Sequence, residues 1–130
     1  MARKEFTFRG KNIQELKAMS VEQFAELCNS RAKRSLKKGI DKKFMKKIER
    51  ASRDPRAKPV KTHLRDLIIV PAMIGVKIAV HRGNTFETVD VSEKMLGHYV
   101  GEFALTRKRL SHGKAGIGAT KSSTAITARG

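Results

Sequence analysis

Apolar residues along the chain recur at helical spacing in the first half and alternate in the second. Val21, Phe24, Ala25, Leu27 and Cys28 fall on one helical face. Ser20-Val21-Glu22-Gln23 precedes them as a capping box, in which the Ser20 hydroxyl accepts from a helix amide while Gln23 reaches back. The pattern predicts a helix of roughly two and a half turns that ends near Asn29. Cys28 on that face reads as a small buried hydrophobe rather than a nucleophile. The run from Arg31 to Gly39 is so dense in like charge that it predicts irregular structure, with Gly39 at a turn. Asp41 then caps a second helix running to about Arg53, where Asp54-Pro55 stops it. Phe44, Met45, Ile48 and Ala51 make its apolar seam.

From Lys61 the texture changes. Leu67-Ile68-Ile69-Val70 is a short β-type run closed by Pro71, and Val76–Val80 alternates as a second strand. His81-Arg82-Gly83-Asn84 predicts a tight turn into a third strand, Thr85–Asp90, antiparallel to the second. Ser92 starts a brief helical turn that points Met95 and Leu96 inward and ends at Gly97. Gly97 and Gly101 mark close backbone packing or a bend. Beyond Thr106 the chain is basic, rich in glycine, serine, threonine and alanine, and holds no acidic residue. Such a tail cannot bury enough apolar surface to order itself before it binds something.

Charge sharpens this picture. With 130 residues and 39% hydrophobic content, one small domain with a lean core is expected. Lys+Arg number 29 against 12 Asp+Glu, a net charge of +17. Residues 1–60 carry 18 basic and 7 acidic side chains, residues 61–107 carry 6 and 5, and residues 108–130 carry 5 and none. A nearly neutral centre between basic flanks calls for a polyanion, since solubility alone rarely segregates charge this way. On the second helix Lys42, Lys46 and Arg50, and likewise Lys43 and Lys47, stand at i,i+4 spacing. Each such like-charge pair costs a few tenths of a kcal/mol. That cost is offset if phosphates meet the face; otherwise it is a solvated face. A membrane surface is the weaker partner: the seam is narrow, no span of about 18 apolar residues exists, and the N-terminus lacks a signal-peptide core. The single cysteine fits a reducing cytoplasm.

Catalytic chemistry is not assembled. His63, His81, His98 and His112 show no metal-ligand spacing, and one cysteine cannot build a zinc cluster. Asp90 and Glu102 read as surface or structural carboxylates. Gly113–Ser122 lacks the spacing and the flanking strand and helix of a phosphate loop. The expectation is a protein with no cofactor, no metal and no small-molecule substrate. With no Trp, and Tyr99 and the six Phe mostly at predicted core positions, an aromatic platform for single strands is not expected. Folded RNA read by shape and backbone is. Eight neutralised phosphates would give a slope of log affinity against log salt of roughly −6 to −7.

Several segments resemble the universal S-nineteen ribosomal protein family of the small-subunit head. Arg34-Ser35-Leu36-Lys37-Lys38-Gly39 followed by the Asp41 helix is similar to the family's start. Lys61-Thr62-His63-Leu64-Arg65-Asp66, with Ile69-Val70-Pro71 and Ile74-Gly75, is similar to its middle. Gly83, then Met95-Leu96-Gly97-His98-Tyr99-Val100-Gly101-Glu102-Phe103, then Thr106-Arg107, resembles its most diagnostic stretch. The segment before Arg34 and the Gly116–Thr120 tail resemble the archaeal and eukaryotic branch. Two details depart from the pattern: the turn His81-Arg82-Gly83-Asn84, and Lys114-Ala115 before Gly116.

The resemblance implies an α+β fold: a small three-stranded, mostly antiparallel sheet packed with short helices. Residues 1–33 would form a basic helical extension, 34–107 the globular core and 108–130 a disordered basic tail. It implies ribosomal RNA of the subunit head as partner, the S-thirteen ribosomal protein as neighbour, and a tail that approaches transfer RNA near the decoding region. The RNA-binding set comprises Arg34, Lys37 and Lys38 before the second helix and Lys42, Lys43, Lys46 and Lys47 on it. Thr62, His63, Arg65, Arg82 and Asn84 follow in the core, and Arg107, Lys108, Arg109, His112, Lys114 and Lys121 in the tail. Two rival classes are a general nucleic-acid compaction protein, which would bind duplex DNA with little preference, and an RNA-processing enzyme, which needs a convergent acidic or histidine site.

Overall fold

Phe8-Arg9-Gly10-Lys11 turns the chain back on itself at once. Arg9 and Gly10 both lie at positive φ, 52° and 80°, as the two central residues of a type I′ hairpin turn require. The result, in a computed structural model describing residues 6–54, 56–108 and 110, is a two-stranded ribbon of β1 (Thr7–Phe8) and β2 (Lys11–Asn12). Helix α1 (Ile13–Ala18) follows directly and buries Leu16. The expected capping box then forms at α2 (Val21–Leu27). The Gln23 amide donates to Ser20 Oγ at 3.3 Å, and the Ser20 amide donates to Gln23 Oε1 at 3.2 Å.

The Arg31–Gly39 stretch corrects an expectation. It is helical, as most of α3 (Ser30–Lys37). Asn29 Oδ1 accepts from the Ala32 amide at 2.8 Å, Ala32 and Leu36 are buried at i,i+4 spacing, and Lys33 pairs with Glu26 of α2. Burying a leucine stabilises by about 1.5–3 kcal/mol, against a few tenths for each like-charge pair along the helix. Tertiary burial wins. Helix α4 (Lys42–Arg53) matches its expected span, with Asp41 accepting from the Lys43 amide at 2.9 Å and Phe44 and Ile48 buried.

The three-stranded sheet is present, but one of its strands is not the expected one. Its order is β3-β4-β5, with β3 at Val60–Thr62, β4 at Lys77–His81 and β5 at Phe86–Asp90. The β4–β5 ladder is antiparallel, with Ile78 opposite Val89 and His81 opposite Phe86; β3 runs parallel to β4. Leu67–Val70 is not a strand of this sheet. It makes one antiparallel bridge, Ile68 to Tyr99, and is tied by the bonds Ile69 N to His98 O and Val100 N to Leu67 O. Its apolarity reports burial, since Ile68, Ile69 and Val70 are all core residues, not ladder pairing. The turn after β4 is closed by Arg82 N to Thr85 O at 3.0 Å.

Pro71–Met73, Glu93–Met95 and Val100–Phe103 are short 3₁₀ turns. Gly97 sits at φ 77° in the turn after Glu93–Met95, so it is a bend. One core joins the helices and the three-stranded sheet: Leu16, Phe24 and Ala32 pack in the same cluster as Ile48, Ile78 and Val100. Residues 6–33 supply Leu16, Phe24, Ala25 and Ala32 to that core.

Candidate nucleic-acid interface

Most of the expected RNA-binding residues that the structure describes fall into two regions. The first comprises the solvent-facing sides of α3 and α4 and the link between them. Arg34, Lys37, Lys38, Lys42, Lys43, Lys46 and Lys47 are all exposed there. Among the described residues, none of these seven lies in an ion pair with a carboxylate. The α4 seam fixes their direction: with Phe44 and Ile48 turned into the core, the lysines have only the solvent side left. Such a surface supplies positive charge with little geometry.

The second region is built around Arg65, which lies half-buried between β3 and Leu67–Val70. Its guanidinium donates to three carbonyls: His81 O at 2.8 Å, Gly101 O at 2.7 Å and Ala104 O at 2.5 Å. These belong to the end of β4 and to the last 3₁₀ turn, so one side chain ties two distant segments together. Only a planar fork with five donors can serve three acceptors in this way. The Gly101 amide returns a bond to Arg65 O at 2.9 Å, and a Cβ on Gly101 would stand 2.8 Å from both Arg65 O and Arg65 Cβ. Close packing, one of the two expected roles of these glycines, is thus met at Gly101.

The two segments that Arg65 ties form the walls of an open groove of about 450 Å³, lined by Arg82, Gly83, Asn84, Leu105, Thr106 and Lys108. Three expected contact residues, Arg82, Asn84 and Lys108, thereby face one space, although Lys108 is far from the others in sequence. Arg82 is restrained within the groove wall. Its Nε donates to Thr85 Oγ1 at 3.0 Å, and Nη1 lies 3.7 Å from Glu87 Oε2. Arg107 is exposed beside it.

Thr62 and Arg65 both make hydrogen bonds inside the protein. Thr62 is buried in β3, and its hydroxyl accepts from the Leu64 amide at 3.1 Å. Three of the five Arg65 donors are engaged inside the protein, and two are left over. Arg109, His112, Lys114 and Lys121, with the expected disordered tail, lie outside the described residues.

His63 is exposed and packs against two rings that the sequence reading did not select, His81 and Phe86. The observed β4–β5 register places Phe86 directly across from His81, one residue away from the turn expected at His81–Asn84. Elsewhere, burial pushes the Cys28 thiol up from its ordinary pKa, which favours the protonated form of an inert, half-buried side chain. The Lys33 ammonium, hydrogen-bonded to Glu26, holds that carboxyl below the usual range. Among the described residues, no three His, Cys, Asp or Glu side chains are grouped to hold a metal ion, and no helix is long and apolar enough to cross a membrane.

The sequence profile of the family described as Ribosomal protein S19 matches residues 33–112. Over 123 residues the chain is 44% identical to the small ribosomal subunit protein uS19 of Cenarchaeum symbiosum (strain A), covering 92% of this chain and 94% of that protein. A match of this extent, spanning the α3–α4 face, the Arg65 tie and the groove alike, places the chain in the Ribosomal protein S19 family.

Proposed function

We propose that the chain is a structural constituent of the small ribosomal subunit that binds ribosomal RNA in the subunit head and supports assembly and translation. The observation that carries this reading is the α3–α4 face: seven exposed cations without carboxylate partners among the described residues, on a chain that aligns over 92% of its length with a small-subunit ribosomal protein. Unpaired lysines of this kind gain affinity by releasing the counterions of a phosphate backbone. The groove of Arg82, Asn84 and Lys108 supplies the shaped contact that sets register on a folded RNA. The protein acts as a scaffold rather than a catalyst and works on cytoplasmic ribosomes. Its neighbour in the head is the S-thirteen ribosomal protein, and its tail lies near the decoding region and transfer RNA.

Sedimentation of cell extracts tests the reading. The protein is expected to travel with small subunits through salt that strips loosely bound basic proteins. Release at that salt, together with equal affinity for duplex DNA and ribosomal RNA, would instead identify a general compaction protein.

A further inference from the structure

Three rings meet at one end of the sheet. His63 follows β3, His81 closes β4, and Phe86 opens β5 as its cross-strand partner. The His63 and His81 centroids are 4.5 Å apart with planes 34° from parallel, a tilted stack. Phe86 stands edge-on to both, at 5.1 Å and 5.0 Å. The Lys61 ammonium lies 5.2 Å from the Phe86 centroid.

This cluster is open to solvent. Phe86 is 37% exposed, the neighbouring Leu64 is 48% exposed, and His63 is exposed, whereas Phe24 and Phe44 are buried. Rings grouped at a surface bury little apolar area in the fold, and contiguous patches of this kind mark binding sites. The stack is also held in place from below. The Gly83 amide donates to His81 Nδ1 at 3.2 Å, which fixes that ring and puts the proton of its neutral form on Nε2. His63 therefore tops a braced two-ring stack, with Phe86 as a side wall and a cation at the rim.

We propose that this cluster is a stacking site for one unpaired RNA base, a reading that rests on the RNA binding proposed above. The base adds a third plane on His63, Phe86 limits its sideways position, and Lys61 meets the phosphate of the same nucleotide. A flat, face-binding, negatively charged ligand suits all three features, whereas a cationic protein side chain would meet repulsion from Lys61. Every base has a stacking face, so the site holds a nucleotide without choosing its identity.

The test uses the full-length protein and two RNA oligomers of about ten nucleotides, within the site size of single-strand binders. One is oligoadenylate; the other has the same phosphates and riboses but no bases. In salt that screens surface charge, the intact oligomer is expected to bind about tenfold tighter, within the range stacking supplies per base. His63→Ala should erase that preference, and His63→Phe, which keeps a ring, should retain it. A 2-aminopurine in the oligomer should be quenched by the wild type and by His63→Phe but not by His63→Ala. Equal binding of the two oligomers by the wild type, or a preference that survives His63→Ala, overturns the stacking site. If that happens while ribosomal RNA still binds, the ribosomal reading stands; failure of the wild type to bind ribosomal RNA defeats both.

Discussion

The α4 lysines and Arg65 are cations of one chain used in opposite ways. Lys42, Lys43, Lys46 and Lys47 point to solvent with no carboxylate partner among the described residues, on a helix whose cap and seam do not need them. Arg65 turns inward and donates to three carbonyls from two segments. The first arrangement gives a field without shape, and the second gives shape with little field. Net charge therefore overstates how many cations are available to a partner, and hydrogen-bond partners sort them better than counting does.

The comparison predicts different failures for the two regions. The largest effect is expected at Arg65→Ala, which leaves three carbonyls short of a donor. At about 1.5–3 kcal/mol for a hydrogen bond to a charged group, partly relieved by water, the loss is on the order of 3 kcal/mol. Urea unfolding measures it, and Arg65→Lys should recover only part, because an ammonium cannot fork. If Arg65→Ala instead left stability intact and lowered the salt slope of RNA binding by one phosphate, Arg65 would belong with the lysines.

Next comes the joint change of Lys42, Lys43, Lys46 and Lys47 to Gln. Stability should hold or rise by a few tenths of a kcal/mol as like-charge pairs vanish. The salt slope for ribosomal RNA should fall in magnitude by roughly 3, and affinity near physiological salt by about a hundredfold. An unchanged slope would remove the α4 face from the interface.

The smallest effect is at Lys33, the α3 cation that does have a partner. Lys33→Gln should alter the salt slope far less than Lys46→Gln, since Lys33 is already paired with Glu26. It should also let the Glu26 carboxyl return upward toward its ordinary range, which NMR titration reads directly. A carboxyl depressed in the folded state adds stability at neutral pH that is lost as pH falls through its folded pKa. The variant should lose that acid-side dependence.

Local signals in the sequence were good guides wherever the structure is itself local. Ser20 with Gln23, Asp41 with the Phe44–Ile48 seam, and the β4–β5 hairpin rest on contacts between near neighbours, and all three are found as expected. Helix α3 was hidden because Ala32 and Leu36 matter only once a core exists to receive them. Strand β3 has three residues, too few for a period to show, while Leu67–Val70 carried a strand-like composition for reasons of burial. The role of Arg65 lay furthest from view. Its acceptors are 16, 36 and 39 residues downstream, and a family resemblance points to a residue without saying which way its side chain turns.

Because the Arg65 fork sets the distance between the β4–β5 loop and the segment after the last 3₁₀ turn, the groove exists before any ligand arrives. An RNA that docks there need not organise its receptor, so the conformational entropy of those two segments is already lost in folding and does not weaken association. In the proposed RNA-binding role, selectivity among RNAs then follows from whether the incoming backbone matches this preformed gap, while the lysine face raises the rate at which any polyanion is sampled. A chain with the same lysines and a loosened fork would meet RNA as often and keep it less discriminately.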